Sequence, residues 1–149
     1  VTRLLDMGID PFTFGDSLIA VQAQRLVRTL CKECREPVAP VAEEWDRIRS
    51  EFGDDGLFAK LGYDRTKARM ARARGCAQCH DTGYRGRIGI HELLVVDDEI
   101  RHLIYGKALA SKVRETAIRG GMVMLKQDGI RKVIQGITDL AEVRTVCMK

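Results

Sequence analysis

The chain has 149 residues, 45% of them hydrophobic and 31% charged, and carries a net charge of +4. That composition excludes an intrinsically disordered chain and fits one ordinary domain, or two small units sharing a core. Charges of both signs are interspersed, which permits an acidic partner such as a phosphate or lipid head group without requiring one. No apolar run approaches the roughly 20 residues of a membrane-spanning helix, so no transmembrane segment is expected. The chain shows no secretory signal and opens at Val1 inside a helical pattern, as a fragment or an excised domain would.

Arg3 to Met7 read as the end of a helix, stopped by Gly8 and by Asp10-Pro11. Ser17 to Val21 read as a short helix capped by Asp16 or Ser17. Gln22 to Leu30 fit two patterns. Leu26, Val27 and Leu30 suit a helix continuing from Ile19, whereas the alternation of arginines with apolar residues suits a strand. After Pro37 and Pro40, Val41, Trp45, Ile48 and Phe52 form one helical stripe, with Glu43 and Glu44 in the first turn and Gly53 at the end. Leu57, Phe58 and Leu61 predict one more helical turn before Gly62. Lys67 to Arg74 are basic and are expected to form a surface strand or helix leading onward, a solvated face rather than a nucleic-acid contact.

The run from Ile88 to Val96 has the β-branched and apolar content of a strand. Asp97 or Asp98 then caps a helix carrying Ile100, Leu103 and Ile104. A second helix runs from about Ala110 to Gly120-Gly121, and a third, with Leu125, Ile130, Val133 and Ile134, stops at Gly136. Asp139 and Glu142 have the spacing of a capping box for a final helix, on which Leu140, Val143 and Cys147 share one face, so Cys147 reads as a buried core thiol. The last third is expected to be a compact helical bundle.

Two cysteine couples stand out, Cys31-x-x-Cys34 and Cys76-x-x-Cys79. A two-residue gap lets a tight turn aim both sulfurs at one point, and two such couples make the closed four-thiolate site that suits Zn²⁺. Disulfides or a redox couple are the competing reading. The odd cysteine count and the absence of a secretion signal favour metal, and neither couple has the strand-then-helix setting of a thioredoxin-like motif. His80 is read as a bystander beside the four-cysteine site, and His91 and His102 as ordinary residues. No G-x-x-x-x-G-K-[ST] loop, G-x-S-x-G or H-E-x-x-H occurs, so no catalytic residue is assigned in this chain.

The string A-Q-R-L-V-R-T-L-C-x-x-C (Ala23–Cys34), followed by G-C-x-x-C-x-x-T-G-Y-x-G-R-x-G-I-x-E-L-L (Gly75–Leu94), resembles the tetracysteine region of secretion ATPases. These are the motors of type II secretion and the related assembly ATPases of type IV pili. The D-M-G-I-D-P-F of Asp6–Phe12, the Q-D-G-x-R-K-V of Gln127–Val133 and Gly136-Ile-Thr138 also match. Two details lean towards the type II branch, I-H-E-L-L-x-V-D-D and Q-D-G-x-R-K-V. The insert between the couples is rather long, and D-L-A-E-V-R (Asp139–Arg144) replaces a more usual E-E-V-L-R.

The resemblance implies an α+β, mostly α, fragment. Residues 1–30 would be the C-terminal end of a RecA-like ATPase region, 31–87 a tetracysteine zinc subdomain, and 88–149 a strand plus helical subdomain. It makes Gln22 to Leu30 a strand and places Arg87 near the adenine of a nucleotide. It implies a cytoplasmic homohexamer, peripheral to the inner membrane, working on secretion platform proteins, with ATP and Mg²⁺ held only by the full-length protein. Two other classes compete: a stand-alone zinc-ribbon nucleic-acid module and a chaperone-type zinc module. The chain is 5% aromatic, little for base stacking, and the first couple lacks the glycines of chaperone cysteine repeats.

Overall fold

The computed structural model describes residues 2–147; Val1, where the helical pattern was read to open, lies outside the described residues. In chain order the elements are α1 (Thr2–Asp6), α2 (Pro11–Ser17), β1 (Ala20–Leu30), β2 (Glu36–Pro37), α3 (Ala42–Phe52) and α4 (Asp55–Lys60). A 3₁₀ turn (Arg65–Lys67), β3 (Ala71–Arg72) and a second 3₁₀ turn (Ala77–Cys79) lead to β4 (Tyr84–Val95). Helices α5 (Asp98–Tyr105), α6 (Ala110–Arg119), α7 (Leu125–Ile134) and α8 (Leu140–Cys147) complete the described chain. The fold is therefore α+β with a small amount of sheet: β1 pairs with β4, and β2 pairs antiparallel with β3. Among the described residues no helix is long and apolar enough to cross a membrane.

Two compact units divide the chain. One comprises the chain up to Ala23 together with Glu92–Met124. Its core joins Leu5, Val96, Ile100, Ile104, Val113 and Ala117. Helix α5 lies against α2 and α6. Asp97, rather than Asp98, caps α5, its carboxylate accepting from the Ile100 N–H at 2.8 Å. The expected helix at Ser17 to Val21 is displaced. The Asp10 side chain accepts from the Thr13 N–H, Pro11 takes the first helical position, and α2 is finished by Ser17, where the extended backbone of Leu18 leads into β1. Asp10-Pro11, read as a stop, is a start, because proline's missing N–H costs nothing in a first turn.

The second unit comprises Gln24–His91 and the chain from Leu125 onwards. Ile48 and Phe52 from the predicted stripe meet Phe58, Met70, Ile130, Val133, Ile134 and Val143 in one core. Phe58 is its aromatic centre, with Phe52, Trp45 and Tyr63 packed edge-on at ring distances of 5.2, 5.5 and 5.1 Å. Cys147 packs at the edge of this core with Leu140 and is half-buried; burial raises its pKa. The helices following β4 are thus split between units, α5 and α6 in one and α7 and α8 in the other.

Two local expectations change. The basic run from Lys67 to Arg74 begins at the end of a 3₁₀ turn and its only strand is the two-residue β3. Its neighbours spend their backbone groups elsewhere: the Arg69 N–H donates to Ile134 O at 2.8 Å and Met70 O accepts from the Val38 N–H at 2.9 Å. β4 also begins at Tyr84, ahead of the expected Ile88, so the glycine-rich turn is already strand.

Helix α7 packs against α8 at Gly129 with no room for a side chain. A Cβ there would lie 2.6 Å from Val143 Cγ1 and 3.1 Å from Cγ2, and Val143 is fully buried. In an open helix Gly→Ala stabilises by about 1 kcal/mol. Here overpacking dominates, so Gly129→Ala should lower stability by about 1–3 kcal/mol. Urea midpoints of the two proteins measure this, and a more stable variant would show that Val143 yields without cost.

Candidate metal centre

The end of β1 delivers Cys31, buried, directly into a tight turn in which Cys31 O accepts from the N–H groups of Cys34 (3.3 Å) and Arg35 (2.9 Å). The second couple is built similarly. Cys76 is extended, the 3₁₀ turn from Ala77 to Cys79 follows, and Cys76 O accepts from the Cys79 and Asp81 N–H groups at 3.1 and 3.0 Å. Each C-x-x-C gap is thus one hydrogen-bonded turn, the local geometry its spacing predicted. The Cys31 N–H then donates to Gly83 O at 2.9 Å, joining the two turns.

All four predicted cysteines converge. Their sulfurs lie within 4.8 Å of one another. Three separations are short: 4.0 Å for Cys31–Cys76, 3.8 Å for Cys34–Cys79 and 3.7 Å for Cys76–Cys79. These are far from the S–S bond of about 2.05 Å, and all five cysteines are free. A regular tetrahedron with Zn–S bonds of about 2.3 Å has edges of about 3.8 Å, so the cluster has the size and donor set to hold such an ion. His80 is exposed and outside the four-sulfur group.

The surroundings favour thiolate at Cys79. Burial works against its charge, but its sulfur accepts from the backbone N–H groups of Cys76 and Gly83, both at 3.2 Å, and the balance draws its pKa down to about 6. Cys34 goes the other way, pushed up to about 12 by burial and by sharing protons with the neighbouring sulfurs. A divalent cation bound by the four sulfurs would take the place of their protons.

Arg87, the other predicted site residue, is not part of this cluster. It is exposed on β4 and lines a cleft of about 550 Å³ with Thr29, Lys32, Arg35, Arg85 and Ile137. In the basic run, Arg72 and Arg74 are paired with Glu44 (3.5 Å) and Glu36 (3.1 Å), which consumes part of its charge.

Several supporting residues escaped sequence reasoning. The Arg28 guanidinium bonds both oxygens of the Glu142 carboxylate at 2.5 and 3.0 Å, holds that carboxyl below its ordinary range, and lies 4.3 Å from the centre of the Tyr84 ring. The Tyr84 hydroxyl donates to the Asp139 carboxylate; burial first, and then that bond, raise its pKa. Asp139 does cap α8 by accepting from the Glu142 N–H at 3.0 Å, but the Glu142 carboxylate turns to Arg28, so the expected capping box is only half used. Tyr84, Asp139 and Glu142 were each visible as motif letters. Their partners lie 55 to 114 residues away, beyond any local spacing rule.

Gly83 is the tightest point of the centre. Its φ of +77° disfavours a side chain, and a Cβ would lie 2.5 Å from that of Ala73. Gly83→Ala should displace the N–H that supports Cys79 and weaken metal affinity by about 10–100-fold, the usual effect of losing a supporting contact. Competition with a chromogenic chelator measures this, and unchanged affinity would remove Gly83 from the site.

The sequence pattern of the family described as Type II/IV secretion system protein matches residues 1–145. Type IV pilus assembly ATPase PilB of Thermus thermophilus is 45% identical over 144 residues, covering 96% of this chain and 15% of that protein. Type II secretion system ATPase E of Vibrio cholerae is 45% identical over 146 residues, covering 98% of this chain and 26% of its own length. Type II secretion system protein E of Pseudomonas aeruginosa is 42% identical over 147 residues. The chain therefore spans about a quarter or less of the curated relatives it matches, and relatives of both branches match it equally well. With the match running over nearly every residue, the tetracysteine turns included, this chain belongs to the Type II/IV secretion system protein family.

Proposed function

We propose that this chain is the C-terminal zinc-binding part of a cytoplasmic, hexameric secretion ATPase that powers pseudopilus assembly and protein export by type II secretion. The family match carries this reading, and the four-sulfur cluster at tetrahedral spacing supports its metal. Cys31, Cys34, Cys76 and Cys79 hold one Zn²⁺, which binds residues 31–87 together as a subdomain; zinc's contribution is cross-linking, not chemistry. Residues 1–30 end the RecA-like region, and the strand and helices of 88–149 that follow are shared out, α5 and α6 to one compact unit and α7 and α8 to the other. The I-H-E-L-L-x-V-D-D and Q-D-G-x-R-K-V strings favour the type II branch over pilus assembly. ATP and Mg²⁺ are held by the longer protein, because this chain has no phosphate-binding loop. Inner-membrane platform proteins are its partners.

Elemental analysis of freshly reduced protein should return one zinc per chain, and Cys76→Ser should lose it. A zinc-free wild type, or a Cys76→Ser variant that keeps its metal, would refute the metal assignment.

In the full-length enzyme Arg87 stacks on the purine from its position beside the cleft. Such an interaction supplies about 0.5–2 kcal/mol. Arg87→Ala should therefore raise KM for ATP about 2–30-fold, with zinc content and hexamer formation unchanged. An unchanged KM in a folded, metal-loaded variant returns Arg87 to an ordinary surface role.

A further inference from the structure

The turn between α7 and α8 is held mainly by residues that adjoin the metal ligands. At one side of the centre, β1 runs into Cys31. The Leu30 N–H donates to Ile137 O at 2.8 Å, and Arg28 O accepts from the Thr138 hydroxyl at 2.7 Å. Thr138 is fully buried, so that hydroxyl has no water to fall back on. From the first cysteine turn, Arg35 donates to Gly136 O at 2.8 Å. At the other side, Gly83 donates to Cys79 Sγ, and the next residue, Tyr84, reaches Asp139 with its hydroxyl. Gly136 itself has a φ of +68°, and a Cβ there would overlap the carbonyl oxygen of Arg69.

These bonds converge on a short turn, and beyond it α8 is held by its apolar face, with Val143 in the core and Leu140 and Cys147 at its edge, and by a few polar contacts. Val143 packs on Gly129, Arg144 bonds Glu51 with an Nε–Oε1 distance of 3.0 Å, and Glu142 is held by Arg28, whose guanidinium rests on Tyr84. Both ligand-bearing segments must be in register for Leu30 and Tyr84 to meet the turn together. That register is set where Cys31 donates to Gly83 O and where the four sulfurs close.

We propose that the tetracysteine centre is a latch for the C-terminal helix: metal bound by the four cysteines fixes Leu30 and Tyr84, and these hold the α7–α8 turn so that α8 docks on its core. Loss of metal releases α8 before the rest of the chain. A surface that appears and disappears with metal occupancy is thereby built into the unit. The inference rests on the metal reading above.

Hydrogen exchange followed by mass spectrometry on the purified chain tests it. Zinc is assayed first in each sample. Chelation should speed amide exchange across Val143 to Cys147 at least tenfold, while amides of α5 and α6 change less than twofold. Alkylation of Cys147, mapped by peptide, should accelerate in parallel. Tyr84→Phe with zinc retained should loosen α8 several-fold, and Thr138→Val should act in the same direction. A zinc-loaded chain whose α8 protection survives chelation, or falls only together with α5 and α6, overturns the latch and leaves the metal assignment standing. A chain that holds no zinc overturns both.

Discussion

Four sulfurs held within 4.8 Å are the constraint on which the second unit depends. Thiolates at that distance repel, and thiols at that distance offer one another only weak hydrogen bonds. A cation turns the same arrangement into a cross-link between segments 45 residues apart. A disulfide closing a loop of that length removes about 4 kcal/mol of chain entropy from the unfolded state, and a tetrathiolate metal does comparable work through four ligands. The segment enclosed by the two couples has its own apolar stripe on α3 and its own aromatic cluster around Phe58. It does not need the metal to form a helix. What the cluster adds is the meeting of Cys31, just past β1, with Gly83, just ahead of β4.

From that joint the structure spreads through polar contacts rather than through more core. Arg28, Tyr84, Asp139 and Glu142 form one connected group, in which a guanidinium is shared between a carboxylate and an aromatic face. The Glu142 carboxylate is the more enclosed partner, with 11% of its side chain exposed against 52% for Arg28. Removing the arginine would strand a nearly buried charge, whereas removing the carboxylate leaves a cation that water still reaches. The same asymmetry recurs at Glu51, whose carboxyl is held below its ordinary range by Arg144 and then by Lys126. Buried acids answered by half-exposed bases thus fasten α8 to α3 and β1.

The family places this chain beside much longer ATPases, of which it covers 15% and 26% in two relatives that are 45% identical to it. Catalysis in such enzymes needs phosphate-binding backbone, a lysine and magnesium. The residues here offer four converging sulfurs and a cleft next to them, lined by Lys32, Glu33, Arg35, Arg85 and Arg87.

Much was determined by the sequence alone, wherever the governing physics is local. Two C-x-x-C gaps specify two hydrogen-bonded turns, the stripe from Val41 to Phe52 specifies α3, and Asp97 specifies the start of α5. The resemblance carried by the cysteine and glycine letters was enough to name the family. Tertiary structure decided what local pattern leaves open. Asp10-Pro11 can end one helix or begin another, and it became a start where the Asp10 side chain found Thr13. Gln22 to Leu30 became strand by pairing with β4, because a run with both periods takes the form of its partner. The division of α5 and α6 from α7 and α8, and the meeting of Tyr84 with Asp139, depend on contacts across 55 residues or more. No spacing rule reaches that far, since such pairs are chosen only when the whole chain has closed on its core.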